Sequence, residues 1–101
     1  MRTPVLTALC LGLALSWHAP LSAKGISQGA MLSNTCSACH GTDGKSPGAI
    51  PSLYGKSAQF IQQALTEFRS GVRASTVMGR HARGYTDEEI KLIADYFASL
   101  K

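Results

Sequence analysis

Cysteine is scarce in this chain, where three of 101 residues are cysteines. Cys10 lies in an apolar stretch near the start, which leaves Cys36 and Cys39 for the remainder. Two cysteines cannot form the framework of several disulfides that stabilises many small exported domains. A domain of fewer than about 80 residues has a small core. The remainder of the chain is therefore expected to need another means of stabilisation.

Charge is also low, and no long apolar run is present. Charged residues make up 16% of the chain, and the ten Lys and Arg residues are dispersed. A nucleic-acid or membrane-surface partner is therefore not predicted. A membrane-spanning helix needs about 20 apolar residues. The run over residues 5–15 is too short for this, so no stable membrane anchor is expected.

The start of the chain has the pattern of a secretory signal. Arg2 precedes the apolar run, and small residues lie close to Ala23. We expect residues 1–23 to be a signal peptide that is cleaved near Ala23, with Cys10 discarded in it. The remainder is then a periplasmic protein. Its residues 24–101 are expected to form a single domain.

That domain contains the sequence CSACH at residues 36–40. It matches C-x-x-C-H, the attachment signature of a c-type haem. On a helical turn Cys36 and Cys39 face the same side, where both thiols can reach the vinyl groups of one porphyrin. His40 follows at once and can act as an axial ligand to the iron. The motif predicts one covalently bound haem c, and it leaves no cysteine for a structural disulfide.

Two other uses of these residues compete with haem attachment. A thioredoxin-like redox pair requires a βαβ context, which this sequence lacks. A structural zinc site requires four ligands, and the set available is Cys36, Cys39, His40 and His81. The long separation between His40 and His81 and the absence of a second paired motif disfavour zinc.

The segment after the motif, residues 41–55, is predicted to be an irregular loop because it contains four glycines and two prolines. A loop of this length usually has a function. We expect it to wrap the His40 side of the haem and to supply a carbonyl, from Pro51 or a neighbour such as Ile50, to the second ring nitrogen of His40. Ile50 and Leu53 are expected to line the haem, with Tyr54 at its edge.

Three helices are predicted. The first covers residues 26–35 and leads into the motif, with Gly29 allowing another helix to approach. The second covers residues 57–70, with Ser57 as its N-cap, Gly71 at its end and an apolar stripe at Phe60, Ile61, Ala64, Leu65 and Phe68. The third covers residues 86–100, with a capping box and a stripe at Ile90, Ile93, Ala94, Phe97 and Leu100. It is expected to pack across the first helix near Gly29.

Residues 71–85 show no clear period and are predicted to form a loop across the far side of the haem. Met78 lies in this loop, and Gly79 after it would help the backbone to come close. A thioether opposite His40 gives the Met/His pair that raises the reduction potential of electron-transfer haems. His81 is the rival ligand, and a packing role for Met78 is the alternative use of its side chain.

The order of these features resembles a small class I cytochrome c, an all-α fold of three to four helices around one covalently bound haem. The segments CSACHGTDG, GAIPSLYGKSAQFIQQALTEFRSG and STVMGRHARGYTDEEIKLIADYFASL are similar to the cytochrome subunit of flavocytochrome c sulfide dehydrogenases. This resemblance implies a monohaem electron acceptor. It would take electrons from the FAD of a flavoprotein subunit that oxidises sulfide and pass them to another periplasmic electron carrier.

The predicted site therefore has Cys36 and Cys39 holding the haem, with His40 and Met78 as iron ligands. With both axial positions filled, no position remains for a substrate, so the chain is predicted to transfer electrons and not to be an enzyme by itself. One alternative is a free cytochrome that carries electrons to a terminal oxidase or a reductase. Another is a haem enzyme or sensor with a labile sixth ligand.

Overall fold

The computed structural model describes residues 25–100, and the predicted signal peptide lies outside this range. Four α-helices follow one another along the described chain. They are α1 (Gln28–His40), α2 (Ala58–Ser70), α3 (Met78–Ala82) and α4 (Asp87–Ser99). No strand occurs between residues 25 and 100, so the expected all-α class is confirmed.

The ends of the three long helices follow from local chemistry. Ser27 and Ser57 each accept a hydrogen bond from the backbone N–H three residues later, at the starts of α1 and α2. α4 begins with the predicted capping box, in which Thr86 and Glu89 each bind the backbone of the other. α1 starts two residues later than predicted and continues through the whole CSACH motif to His40.

The prediction of an unbroken loop over residues 71–85 is wrong, because residues Met78–Ala82 form α3. This helix has one and a half turns, too few for an apolar period to be visible in the sequence. Tertiary packing stabilises it: α3 packs against α2, and Ala82 is completely buried in the core. The hydroxyl of Ser75 also accepts a hydrogen bond from Gly79 N–H at 2.9 Å.

α4 is the central element of the packing and contacts both α1 and α2. Gly29 lies where α1 crosses α4, and a Cβ atom at this position would come within 2.8 Å of the Leu92 carbonyl oxygen. The predicted crossing of the first and last helices near Gly29 is therefore confirmed. The next turn of α1 places Ser33, which is also fully buried, in the same small-residue face.

The core is small. Within residues 25–100 it consists of seven buried apolar side chains, from α2, α3 and α4: Ile61, Leu65, Ala82, Ile90, Ile93, Ala94 and Phe97. Of the two predicted stripes, that of α4 is buried apart from Leu100, which is partly buried, whereas Phe60 of α2 is 47% exposed. Among residues 25–100, no helix has both the length and the apolar character needed to cross a membrane.

Candidate functional site

The CSACH motif forms the last turn of α1. The helix ends immediately after His40 because Gly41 adopts φ 87° and ψ 161°, a backbone conformation that is essentially restricted to glycine. A Cβ atom at Gly41 would lie 2.0 Å from the Lys45 carbonyl oxygen. The chain can therefore turn sharply away from the motif, and His40 is placed at the junction between a rigid helix and the following loop.

The imidazole of His40 is held by that loop. Its Nδ1 atom lies 2.6 Å from the carbonyl oxygen of Pro51, which was the first predicted partner. A carbonyl oxygen can only accept a hydrogen bond, so Nδ1 carries the proton. The lone pair of the neutral ring is then on Nε2, and this nitrogen is the one available to a metal.

Two further hydrogen-bond sets fix the position of Pro51. The carbonyl of Gly44 accepts hydrogen bonds from the N–H groups of Leu53, at 2.8 Å, and Tyr54, at 3.1 Å. The hydroxyl of Ser52 accepts one from Ser46 N–H at 3.0 Å. Residues 41–54 therefore form a closed loop whose own backbone orients the His40 ring.

The two cysteines of the motif differ in their surroundings. Cys36 is partly buried and packs against the core, whereas Cys39 is exposed. Burial raises the pKa of the Cys36 thiol above its ordinary value, although a hydrogen bond with Thr35 opposes the shift. Reactive cysteines in redox pairs have lowered pKa values. The raised pKa of Cys36 therefore disfavours the use of this pair in thiol–disulfide exchange.

The two candidate ligands opposite His40, and the other methionine of the described chain, also differ in burial. Met78, the first residue of α3, is partly buried and packs against the core. His81 is exposed, although it lies on the same short helix. Met31 is 65% exposed and lines a shallow groove with Ile26, Ala30, Asn34 and Tyr96, on the side of α1 next to α4.

Gly79, which was expected to help the backbone come close to the haem, lies at a close contact between α3 and α2. A Cβ atom at this position would lie 3.2 Å from the Phe68 carbonyl oxygen. The missing side chain thus lets the start of α3 pack closely on the end of α2. The position of Met78 is therefore set by α2, the helix on which α3 packs.

Apolar side chains remain exposed on the two loops that were predicted to border the haem, and also on α2. Ile50 in the loop is 44% exposed, Phe60 on α2 is 47% exposed and Val77 before α3 is 55% exposed. Tyr54 is 37% exposed, and Lys45 lies over its ring at 4.3 Å. A small core and exposed apolar residues around a thiol pair fit a bound macrocycle, which would cover this surface. Leu65, in the same stripe of α2 as Phe60, is buried in the core.

Metal coordination by side chains alone finds less support. Within residues 25–100, no group of three or more His, Cys, Asp or Glu side chains is placed to hold a metal ion. Cys36, Cys39, His40 and His81, the set considered for zinc, are therefore not gathered into one site.

The basic residues around Met78 fall into two groups. Arg69 on α2 donates to the carbonyl of Tyr85 at 3.1 Å and forms a salt bridge with Asp87, and Arg73 forms one with Glu67 at 2.7 Å. Arg80 and Arg83 are exposed and form no salt bridge within the described chain. The first group is thus structural, and the second is available to solvent.

A contact that the sequence analysis missed links the segment after α3 to the haem-attachment helix. The hydroxyl of Tyr85 lies 3.0 Å from Oγ1 of Thr35, the residue before Cys36. No short motif signals such a contact, because the two residues are separated by 50 positions.

Comparison with known proteins agrees with this geometry. A family model described as Cytochrome c matches residues 26–101. The cytochrome subunit of sulfide dehydrogenase from Chlorobaculum tepidum is 61% identical over 74 residues, which cover 73% of this chain and 67% of that protein. Cytochrome c-553 from Nitratidesulfovibrio vulgaris is 31% identical over 104 residues, which cover 98% of each chain.

A third relative is much longer than the part of it that is matched. The thiosulfate dehydrogenase electron acceptor of Stutzerimonas stutzeri is 41% identical over 69 residues, which cover 64% of this chain and 32% of that protein. The chain thus spans about a third of this relative and about two thirds of the Chlorobaculum protein.

Proposed function

The chain belongs to the cytochrome c family, carries one covalently bound haem c and transfers electrons through it, and from this premise we propose that it is the periplasmic electron-accepting subunit of a sulfide dehydrogenase. The observation that carries the proposal is the 61% identity to the cytochrome subunit of that enzyme in Chlorobaculum tepidum. The partner in this proposal is an FAD-containing flavoprotein subunit that oxidises sulfide.

At the site, Cys36 and Cys39 hold the haem and His40 is one axial ligand. The hydrogen bond from His40 Nδ1 to Pro51 supports this role, since it leaves Nε2 unprotonated and restrains the ring. When bound, the haem supplies a reversible one-electron couple at its iron. The closed loop over residues 41–54 keeps the imidazole in place through that change of charge.

Met78 is the second axial ligand in this proposal. Its partial burial against the core supports the choice, because a packed side chain is pre-positioned, whereas the exposed His81 is solvated and would have to give up water. Met31 is 65% exposed and lines a groove with Tyr96 of α4. If His40 and Met78 both hold the iron, they would exclude substrate from it, and the sulfide chemistry would belong to the partner subunit.

Reduction by the partner tests the proposed function directly. The holoprotein is mixed with the purified flavoprotein subunit from the same source, and haem reduction is followed in absorbance after sulfide is added. We expect rapid reduction that requires the flavoprotein, and co-elution of flavin and haem on size exclusion. The control replaces sulfide with thiosulfate, which should leave the haem oxidised. Failure of sulfide and flavoprotein to reduce the haem would exclude the proposed partner.

A second candidate is a free carrier that accepts electrons from another periplasmic dehydrogenase and passes them to a terminal oxidase or reductase. The similarity to the thiosulfate dehydrogenase electron acceptor of Stutzerimonas stutzeri favours it. It predicts the opposite result in the same assay: the haem is reduced by thiosulfate in the presence of a thiosulfate dehydrogenase, and the protein elutes alone.

A further inference from the structure

Hydrogen bonds of Tyr85 connect it to three helices, α1, α2 and α3, at the start of α4. It is the residue before Thr86, the N-cap of α4, and its N–H donates to the carbonyl of Ala82, in the last turn of α3. Its own carbonyl accepts the hydrogen bond from Arg69 on α2, and its hydroxyl meets Thr35 on α1. The ring is partly buried against the core.

The hydroxyl contact reaches the backbone of α1 through Thr35. Thr35 Oγ1 lies 3.3 Å from the carbonyl oxygen of Leu32 and can donate its single proton there. In that arrangement Thr35 accepts the proton of the Tyr85 hydroxyl at 3.0 Å, and in the other arrangement Thr35 donates to Tyr85. In both, one hydrogen bond joins Tyr85 to α1, close to Cys36.

This contact has no substitute in the described part of the chain. In the part of the chain that the structure describes, it is the sole side-chain hydrogen bond that joins α1 to residues 71–86. α3 itself packs against α2. Residues 71–85, which we call the Met78 segment, thus pack against α2, and the Tyr85 hydroxyl connects this segment to α1, the helix that carries Cys36 and Cys39.

We propose that Tyr85 is a positioning residue that holds the Met78 segment at a fixed distance from the haem-attachment helix and thereby keeps Met78 on the iron. This inference rests on the proposed ligation by Met78. Without the hydroxyl, the segment from residue 71 to residue 85 keeps its contacts with α2 but loses its polar tie to α1. The state in which Met78 has left the iron then becomes more populated.

Imidazole measures that population, because it binds the ferric iron only where Met78 has left. Its apparent affinity rises in proportion to the fraction of molecules in the open state. A hydrogen bond of ordinary strength corresponds to a change of about two- to tenfold. We expect Tyr85→Phe to bind imidazole about two- to tenfold more tightly than the wild type, with the methionine-to-iron charge-transfer absorption as the readout.

Three further variants complete the test. Thr35→Val should tighten imidazole binding to the same extent as Tyr85→Phe, and the double variant should add nothing, since the two residues form one bond. Thr35→Ser keeps the hydroxyl and should behave as the wild type. Tyr96→Phe is the matched control: its ring also packs partly buried, edge-on to Phe97 at 5.3 Å between centroids, but it lies within α4 and lines the groove with Met31. Its imidazole affinity should not change.

A merely structural role is separated by a destabilised control. Ile93→Val lowers the free energy of unfolding through the core of α4 and leaves Tyr85 intact. If Ile93→Val changes imidazole affinity as much as Tyr85→Phe at an equal loss of stability, the positioning role is excluded. An unchanged affinity in Tyr85→Phe also excludes it. A wild type that lacks the methionine-to-iron absorption overturns both the ligation by Met78 and this role, whereas the other two results overturn the role alone.

Discussion

Met78 and His81 lie three residues apart on α3, but their environments differ. Met78 packs against the core, and His81 is exposed. An exposed imidazole and a packed thioether differ in the work needed to bring each to a metal, since only the imidazole must shed water. Burial therefore favours Met78 over His81 as the proposed ligand, although both residue types are good iron ligands in isolation.

Replacement of the proposed ligand by a stronger donor gives the first prediction. Met78→His should fold and bind haem, remain low-spin, and lower the midpoint potential by at least about 0.1 V of the roughly 0.8 V range that axial ligands span. Redox titration measures the change. Met31→His is the matched control, since Met31 lies on the α4 side of α1, and its potential should stay at the wild-type value. An unchanged potential in Met78→His would remove Met78 from the iron.

Gly41 gives the second prediction. Its φ of 87° and the 2.0 Å approach to the Lys45 carbonyl leave no room for a side chain. Gly41→Ala should lower the free energy of unfolding by about 2 kcal/mol or more. Gly48→Ala is the control, because nothing lies within 4 Å of a Cβ atom there, and it should change stability by less than about 0.5 kcal/mol. Equal effects in urea unfolding would contradict this account of the turn.

At the scale of elements, the end of α2 is joined to the segment that leads to Met78. The carboxylate of Glu67 accepts hydrogen bonds from Gln63 Nε2 and from Arg73 Nε, each at 2.8 Å. Arg73 also lies over the ring of Phe68 at 5.4 Å. This small polar cluster lies at the beginning of the segment formed by residues 71–85, and Tyr85 lies at its end.

The cluster predicts a specific pH dependence. The hydrogen bond from Gln63, followed by that from Arg73, lowers the pKa of Glu67 below its ordinary value of 4.5. A lowered pKa in the folded state stabilises the protein above the unfolded value, and this contribution is lost as the pH falls through the lower folded value. Glu67→Gln should therefore be less stable than the wild type at neutral pH, and the difference should shrink below about pH 4.5.

Urea unfolding at a series of pH values measures this difference. Glu88→Gln is the control. Glu67 lies in the last turn of α2 and Glu88 in the first turn of α4, but Glu88 forms no side-chain hydrogen bond within the described chain. Glu88→Gln should change the free energy of unfolding at neutral pH by less than Glu67→Gln does. A Glu67→Gln difference that stays constant down to about pH 3 would exclude the proposed linkage.

Elements and their ends could largely be predicted from the sequence, because caps and apolar stripes are local signals. Ser57 and the Thr86 capping box begin helices where predicted, and Gly71 ends one where predicted. α3 could not be predicted, since its five residues depend on packing against α2. The burial of Ser33 was missed for the same reason: only the approach of α4 explains it. The Thr35–Tyr85 contact likewise depends on the tertiary fold.

At the scale of the whole molecule, seven buried apolar side chains are few for a domain of this size. The variant Cys36→Ser/Cys39→Ser cannot attach haem through thioethers. We expect it to lose most of its helical circular dichroism and its cooperative unfolding transition at 25 °C. Ala38→Ser is the control, because Ala38 lies between the two cysteines and is exposed. This variant should retain both properties. Full helicity in the double variant would show that the polypeptide core is sufficient.

The prediction of the site drew on a different kind of information. The CSACH motif has fixed spacing, so the covalent haem could be predicted from five residues. The partner of His40 could be narrowed to Pro51 or a neighbour, and the structure shows Pro51. What could not be predicted is how Met78 is supported, because Phe68, Ser75 and Tyr85 act on it through contacts of the folded chain.

The hydrogen bonds accepted by the Gly44 carbonyl close short loops. They span nine and ten residues, and the His40–Pro51 bond spans eleven. Met78 follows His40 by 38 residues, and closing the longer loop costs about 1 kcal/mol more in chain entropy. We therefore expect the histidine side to form early from neighbours in sequence, and the methionine side to form last and open first. In hydrogen exchange, amides of residues 41–54 should stay protected under conditions where those of residues 71–85 have already exchanged.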